Sequence, residues 1–164
     1  MNPPSAATTH PRVLALVERF RSVDAAMRDL PLYNDKISIE AIGFRPFGKD
    51  ELIGVLLTPW FMNLIVLPVA PEPMDMNKIG KSLVIDLPAG PRNFVVGGDE
   101  AIGLYKAHSL HSPVLNFTLP GQAQAEARRQ LGLLMTPPPA EPAATKKETR
   151  GLDRRALLLG RRSV

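Results

Sequence analysis

The sequence predicts an α+β domain in which one antiparallel sheet, a meander of about five or six strands, is flanked by an N-terminal and a C-terminal helix. Three observations lead to this prediction. Apolar residues near the N terminus recur at helical spacing, two continuous apolar runs follow, and a second helical pattern precedes a proline-rich segment. The connections between the predicted strands are too short for the crossovers that parallel strands need.

The N-terminal helix is predicted from one apolar stripe. Its members lie three or four residues apart and are Val13, Leu16, Phe20, Val23, Met27 and Leu30. Pro11 suits the first turn of a helix, and Pro31 is expected to end it. We expect the stripe to pack against the sheet, because an apolar stripe is how a surface helix docks on a core.

Two central strands are predicted over residues 52–58 and 61–67, which are continuous apolar runs. Residues 52–70 carry no charge over 19 positions, which is also the length of a membrane span, but Pro59 and Pro68 favour two strands. Before these runs, residues 37–42 alternate in the manner of a half-buried strand. Residues 43–50 contain two glycines, a proline and charged side chains, so they are predicted to form a loop.

Further strands and the second helix are predicted downstream. Residues 83–87 and 93–96 flank a Pro-Ala-Gly-Pro turn, and residues 102–110 and 114–117 are additional strand candidates. The second helix presents a thin apolar face formed by Ala123, Ala127, Leu131 and Leu134. The prolines that follow end this helix and favour a semi-rigid linker.

The chain is therefore divided into three parts. Residues 1–9 are small, polar and proline-containing, which is typical of a disordered terminus. Residues 10–136 form a single α+β domain, consistent with a chain of 164 residues. Residues 137–164 are predicted to be a Pro-rich linker followed by a flexible basic tail.

The net charge of +4 resides entirely in that tail. Residues 1–140 carry 13 basic and 13 acidic side chains, whereas residues 141–164 carry seven basic and three acidic ones. The sequence pI of about 9.7 therefore describes the tail and not the domain. A basic tail leaves one alternative function open, a module that binds nucleic acid or an anionic membrane surface. The neutral domain and the few aromatic residues argue against it, and salt-sensitive retention of the domain on DNA or anionic vesicles would support it.

Several classes of function are disfavoured by the composition. The chain has no Cys, which removes disulfides, thiol nucleophiles and iron–sulfur ligation. His108 and His111 have a spacing found in metal sites, but residues three apart on a regular strand face opposite sides. No catalytic constellation and no phosphate-binding loop is present, so we predict no enzyme, no metal and no cofactor. The N terminus lacks the features of a secretory signal, which favours a cytoplasmic location.

The best candidates for surface anchors surround the single Trp. Trp60 and Met62 are expected to share one face of a strand, while Phe61 points to the other face. Pro59 restricts the backbone beside them, and two further methionines follow, Met74 and Met76. Trp is enriched in binding hot spots and Met adapts to varied apolar partners. The alternative that Trp60 and its neighbours belong to the core stays open, because large aromatics also dominate cores.

Three segments in this order resemble a known family. They are Gly54-Val-Leu-Leu-Thr-Pro-Trp-Phe-Met-Asn63, Asp86-Leu-Pro-Ala-Gly-Pro91 with the following Phe94-Val-Val-Gly-Gly, and Arg154-Arg-Ala-Leu-Leu-Leu-Gly-Arg-Arg-Ser163. Together they resemble the HybE/HupJ/HoxT family, the chaperones of [NiFe]-hydrogenase assembly. The Thr-Pro-Trp segment and the Arg-Arg-Ala-Leu-Leu ending are specific as a pair, and either segment alone is a weak signal.

The resemblance implies a non-catalytic cytoplasmic protein that holds no cofactor of its own. Members of the family are expected to bind the precursor of a [NiFe]-hydrogenase small or large subunit, with other maturation proteins as further candidate partners. The resemblance also implies that the chaperone holds back export by the twin-arginine route until the subunit has been assembled. The absence of Cys agrees with a role in binding protein and not metal.

The tail suggests a separate hypothesis. Asp153-Arg-Arg-Ala-Leu-Leu158 is similar to the twin-arginine export signature Ser/Thr-Arg-Arg-x-Phe-Leu, although Asp replaces Ser/Thr and Leu replaces Phe. We hypothesise that the tail imitates such a signal and binds the protein's own groove or an acidic partner surface. Arg154 and Arg155 would contact carboxylates, and Leu157 and Leu158 would fill an apolar pocket. A solvated basic tail is the alternative.

Overall fold

The structure is a computed structural model, and it describes residues 10–139. These residues form two helices and six strands: α1 (Pro11–Met27), β1 (Glu40–Phe47), β2 (Glu51–Leu57), β3 (Met62–Pro68), β4 (Ser82–Leu87), β5 (Gly90–Asp99), β6 (Gly103–His111) and α2 (Pro120–Leu134). The N-terminal segment 1–9 and the tail from residue 140 onward lie outside the described residues.

All six strands belong to one antiparallel sheet with the order β1-β2-β3-β6-β5-β4. The predicted fold class is confirmed, with the N-terminal and C-terminal helices flanking the sheet. The strands form two three-stranded meanders that join where β3 pairs with β6. The connection from β3 to β4 runs past the start of β6, where the carbonyl oxygen of Glu72 accepts a hydrogen bond from the amide of Leu104 at 2.8 Å.

The two helices cover opposite faces of the β1-β2-β3 half of the sheet. Val13 and Leu16 of α1 pack on one face with Ile65, whereas Ala127 and Leu131 of α2 pack on the other. Strands β2 and β3 are therefore buried on both faces, as their continuous apolar runs predict. The carbonyl of Leu134 at the end of α2 also accepts a bond from the amide of Ala89 in the β4–β5 turn, so the sheet curls around α2.

Helix α1 begins where predicted and ends earlier than predicted. Its stripe reaches the core through Val13, Leu16 and Val17, but it ends at Met27. The expected last member of the stripe, Leu30, lies in the turn that follows and is exposed. The start of the helix is held by the Arg12 Nε, which donates to the carbonyl of Pro68 at 2.9 Å.

Strand β1 includes residues 43–47 of the segment 43–50 predicted to be a loop, and only residues 48–50 form a turn. It contains an irregularity between Ile42 and Arg45, where the pairing with β2 shifts in register. Gly43 lies in this bulge with a φ of 69°, and a Cβ at this position would collide with the side chain of Leu131. Gly43, which suggests a loop in the sequence, therefore lies in a β-bulge, and its missing side chain lets α2 approach the sheet.

The strand predicted over residues 114–117 is wrong, because this segment is a loop between β6 and α2. Its apolar residues Val114 and Phe117 turn into the core. The side-chain amide of Asn34 donates to the carbonyls of both residues, at 2.9 and 2.8 Å. In a strand these two carbonyls would accept hydrogen bonds from a neighbouring strand. Here they accept them from the buried side chain of Asn34.

Helix α2 is held to β6 by a hydrogen-bonded pair. The Nε2 of His111 lies 3.0 Å from Glu126 Oε2, and a carboxylate can only accept, so Nε2 carries the proton. Arg129 donates two further bonds to the same carboxylate. The bonds from Arg129 and then His111 lower the pKa of Glu126 far below its ordinary value of 4.5.

A methyl group added at Gly54 is expected to destabilise the protein by about 1–3 kcal/mol, because overpacking forces the core apart. A Cβ at this position in β2 would lie 2.7 Å from the Cα of Phe44 and closer still to its ring. The matched control is Gly132→Ala in α2, where a Cβ meets nothing within 4 Å; it should stabilise the protein by about 0.5–1 kcal/mol. Urea unfolding measures both, and equal stabilities for the two variants would contradict the packing around Phe44.

The Asn34→Ala variant is expected to lower the free energy of unfolding by about 2–4 kcal/mol, because two buried carbonyls lose their donor. The control is Asn116→Ala, which removes an exposed amide from the β6–α2 loop and should change stability by less than about 0.5 kcal/mol. Thermal and urea unfolding give the comparison. A loss for Asn34→Ala no larger than for the control would show that the two bonds do not hold the loop.

The Glu126→Gln variant is expected to lose stability at pH 7 and to approach the parent protein in acid. A carboxylate whose pKa is depressed in the folded state stabilises that state above its unfolded pKa, and this contribution is lost as the pH falls. The gap in urea midpoint between the two proteins should therefore shrink below about pH 4.5. Glu100→Gln, at an exposed turn, should show no gap at either pH. A gap for Glu126→Gln that stays constant from pH 7 to about pH 3 would contradict the pair.

Candidate protein-binding site

Three connections meet at one end of the sheet, which we call the apolar end. The pairing register aligns Glu40, Leu57, Met62 and His111 in one row across β1, β2, β3 and β6. The α1–β1 connection, the β2–β3 turn and the β6–α2 loop all adjoin this row. Asn34 joins them, because its amide N–H donates to the carbonyl of Pro59 at 2.8 Å while its side chain holds the β6–α2 loop.

Four large apolar side chains are exposed on these connections. Leu30 and Leu32 lie on the α1–β1 connection, and Leu115 and Leu119 lie on the β6–α2 loop, with exposed fractions from 37% to 61%. A single exposed leucine needs no explanation, but several on two loops that are held together form an apolar surface. No local pattern marks these four residues as a surface, and the helical stripe predicts that Leu30 packs against the sheet. Their only signal is that large apolar residues stand in connections that contain Pro, Asn and Ser.

The Thr-Pro-Trp segment forms the turn between β2 and β3. The hydroxyl oxygen of Thr58 accepts hydrogen bonds from the amides of Trp60 and Phe61, at 3.2 and 3.0 Å, and the Thr58 amide donates to the Phe61 carbonyl at 2.9 Å. Pro59 supplies the fixed φ that suits the first corner of such a turn. The residues of this motif therefore shape a buried turn and are not part of a strand.

An aromatic cluster lies beneath the apolar end. The ring of Trp60 stacks on those of Phe20 and Tyr33, with centroid distances of 6.5 and 6.2 Å, and meets Phe61 edge-on at 6.0 Å. Phe20 and Phe61 also meet edge-on, at 5.7 Å. Stacked and edge-on pairs at these distances are favourable beyond the area that they bury. The cluster therefore fixes the end of α1 against the β2–β3 turn.

The expected arrangement of Trp60 and Met62 is wrong. Trp60 packs with Phe61 on the α1 face of the sheet, whereas Met62 packs on the α2 face. Side chains alternate between the two faces of the sheet only from Met62 onward, where β3 begins. The preceding turn places Trp60 and Phe61 on the same face. Trp60 is 7% exposed and Met62 is 0% exposed, so both side chains are part of the core and neither forms the surface in this structure.

A groove of about 1010 Å³ opens beside the aromatic cluster. It is lined in part by Asp24, Arg28, Tyr33, Asp35, Pro59 and Leu115. Asp24 accepts a bond from the hydroxyl of Tyr33 at 2.8 Å and pairs with Arg28 at 2.9 Å. Burial and then the bond to Asp24 raise the pKa of the Tyr33 hydroxyl, so Tyr33 stays a neutral donor. Arg21 also lines the groove, and Asp24 is paired with Arg28, so Asp35 is the carboxylate that the groove offers to a basic partner, beside Pro59 and Leu115.

The structure separates the remaining predicted anchors from this end. Met74 and Met76 follow Pro68 at the other end of β3, about 20 Å from the β2–β3 turn for a strand of seven residues. Met76 is exposed and Met74 is half-buried. The four predicted tail residues, Arg154, Arg155, Leu157 and Leu158, lie outside the described residues.

Neither the histidines nor the helices of the described region point to another kind of site. An irregularity at the end of β6 places both His108 and His111 on the α2 side, contrary to the expectation from a regular strand. His108 Nδ1 lies 2.8 Å from the carbonyl oxygen of Asn93, and His111 is bound to Glu126. Residues 10–139 contain no group of three or more His, Asp or Glu side chains that could hold a metal ion. No helix among these residues is long and apolar enough to cross a membrane.

Comparison with known proteins gives consistent matches over most of the chain. Residues 11–160 match the family model described as [NiFe]-hydrogenase assembly, chaperone, HybE. The chain is 39% identical over 139 residues to the hydrogenase expression/formation protein HupJ of Bradyrhizobium diazoefficiens, an alignment that covers 84% of this chain and 80% of the relative. It is 35% identical over 148 residues to the hydrogenase expression/formation protein HoxT of Azotobacter vinelandii, with 87% and 94% covered.

A solved structure shares the fold. The solution structure of HybE from Escherichia coli matches with a TM-score of 0.60 at 23% sequence identity, and the match covers 100% of this chain and 98% of that one. The structural match supports the fold, and the family match with the two relatives supports membership. The chain belongs to the HybE family of [NiFe]-hydrogenase assembly chaperones.

Proposed function

We propose that this chain binds the precursor of a [NiFe]-hydrogenase subunit through the region of its twin-arginine signal and holds back export until the subunit is assembled. In this proposal the protein acts in the cytoplasm, by binding and not by catalysis. The partner is the small subunit precursor, the large subunit precursor or both, and other maturation proteins are further partners. The observation that carries the proposal is the apolar end, where Leu115 lines a groove and Leu30, Leu32 and Leu119 are exposed on the connections beside it.

The apolar end suits the chemistry of such a signal. A twin-arginine signal has an arginine pair followed by an apolar stretch, and the groove offers the carboxylate of Asp35 beside Pro59 and Leu115. The guanidinium group of an arginine forms paired bonds with a carboxylate, and the apolar stretch would cover exposed leucines. The connections that carry these side chains are held by the buried bonds of Asn34, so the surface is formed before a partner arrives.

The predicted anchors have different roles in this proposal. Pro59 lines the groove, and Trp60 and Met62 support the turn from below. Met74 and Met76 lie too far away to contact the same short segment, so they stay a separate predicted contact for a larger part of the precursor. Arg154, Arg155, Leu157 and Leu158 are considered with the tail below.

The proposal is tested by retention of purified subunits on the immobilised full-length chain. The precursor with its signal region should be retained, whereas the mature enzyme and a precursor lacking the signal region should not. Equal retention of the precursor with and without its signal region would contradict recognition of the signal. Failure to retain either subunit precursor would contradict the whole proposal.

Substitution of one leucine at the apolar end should weaken binding of the precursor. Leu115→Glu places a charge on the surface and is expected to reduce affinity about four- to tenfold, because half of a leucine side chain contributes about 0.8–1.5 kcal/mol on burial. The matched control is Leu14→Glu at the other end of α1, since the parent leucines are 52% and 55% exposed. Titration calorimetry measures both affinities, with unfolding curves to show that both variants fold. An equal loss in the two variants would place the binding surface elsewhere.

A further inference from the structure

The C-terminal tail starts close enough to the apolar end to reach it. The first turn of α2 follows Leu119 at that end, and the helix of 15 residues ends at Leu134. At about 1.5 Å per residue the helix is about 22 Å long. The described chain continues only to Pro139, so the tail departs roughly one helix length from the exposed leucines.

The length of the linker matches this span. Fifteen positions separate Pro139 from Arg154. A flexible segment of this size has a root-mean-square length of about 21 Å and a fully extended length of about 50 Å. A tether whose average length equals the span gives its end an effective concentration near the millimolar range.

The chemistry of the tail also matches the groove. Asp35 lines the groove with a side chain that is 80% exposed, and its carboxylate is available for a second cation besides Lys36. Arg154 and Arg155 supply guanidinium groups, and residues 156–159 are Ala-Leu-Leu-Leu, which suit the exposed Leu115. The family match extends to residue 160, so this segment belongs to the part of the chain that the family model covers.

We propose that the tail segment Arg154–Leu159 binds the apolar end of its own chain and is displaced from it by the precursor. This inference rests on the proposed function, because the tail and the signal region of the precursor then compete for one surface. It also gives a role to the basic tail, which carries the whole net charge of the chain although the domain itself is neutral. The exposed edge strand β4 is the competing location, and the experiment distinguishes the two.

The experiment measures where the tail lies in the full-length chain. Because the natural sequence has no Cys, a Ser163→Cys variant carries a single nitroxide spin label at the end of the tail. The label broadens the amide NMR signals of the residues near it, so we expect broadening at residues 30–36 and 113–119. Broadening confined to Ser82–Leu87, no broadening in the folded region, or broadening only between separate labelled and unlabelled molecules would each overturn the proposal.

Two pairs of charge reversals provide matched variants within the tail. Arg154→Glu with Arg155→Glu should abolish the broadening, whereas Arg161→Glu with Arg162→Glu makes the same change in net charge and should leave it in place. Equal effects of both pairs would show non-specific attraction and overturn the proposal. On the domain, Leu115→Glu should abolish the broadening, and Val84→Glu on β4 should preserve it.

Competition is measured with a synthetic peptide that contains Ser-Arg-Arg-x-Phe-Leu and an apolar stretch. For a tail with a dissociation constant of about 100 µM and an effective concentration of about 1 mM, loss of the tail contact should tighten peptide binding about tenfold. The Arg154→Glu, Arg155→Glu variant should therefore bind more tightly than the parent chain. Equal or weaker binding by this variant would overturn the competition.

The two proposals fail in different ways. If the label broadens the signals of the apolar end but neither the parent chain nor any variant binds the peptide, the tail contact stands and recognition of the signal fails. If the tail variants bind the peptide as tightly as the parent chain, Leu115→Glu binds it more weakly and no broadening appears, recognition of the signal stands and the tail contact is overturned.

Discussion

The arrangement of the apolar end depends on the hydrogen bonds made by the buried side chain and the backbone of Asn34. Its side-chain nitrogen donates to the carbonyls of Val114 and Phe117, its side-chain oxygen accepts from the amide of Lys36, and its own amide donates to Pro59. A buried amide is costly unless its bonds are made, and the same holds for the carbonyls that it reaches. Three connections that are separate in sequence are therefore held in one arrangement.

The hydrogen bonds of Asn34 hold these connections in place, and this explains how the loops keep leucine side chains exposed. Val114 and Phe117 turn inward and complete the core on the α2 side, which leaves Leu115 directed to solvent between them. On the other face, the rings of Phe20, Tyr33, Trp60 and Phe61 fix the end of α1. The exposed surface thus sits on two well-packed layers, which is the usual way in which a rigid scaffold presents a binding surface on its loops.

The proposed role requires binding that is specific and also reversible. Half-exposed leucines and one exposed carboxylate each contribute little, so a short segment bound at the apolar end would exchange readily. A tethered competitor lowers the apparent affinity for the precursor further without changing any contact, because only the free fraction of the surface is available. A surface covered by its own tail would also be less exposed to unrelated apolar partners.

Local sequence patterns were enough to predict most of the secondary-structure elements. The helical stripe of α1, the continuous runs of β2 and β3 and the small apolar face of α2 all describe which face of an element is buried, and each was predicted in the right order. The Thr-Pro-Trp and Arg-Arg-Ala-Leu-Leu segments were enough to indicate the family, because family motifs are read directly along the chain. The binding residues were harder to predict, because an apolar pattern does not show whether a large side chain such as Trp60 lies in the core or on the surface.

That step was decided by the tertiary structure. Gly43 looks like a loop residue until α2 is seen to pack against it, and residues 114–117 look like a strand until Asn34 is seen to take their carbonyls. Trp60 lies in the core because the Thr58 turn precedes the alternation of β3, and Leu115 is exposed because its neighbours are buried. The pairing of β3 with β6 and the meeting of three loops at one end arise from contacts between residues far apart in the chain. Local periodicity does not encode such contacts, since each depends on where another element has already packed.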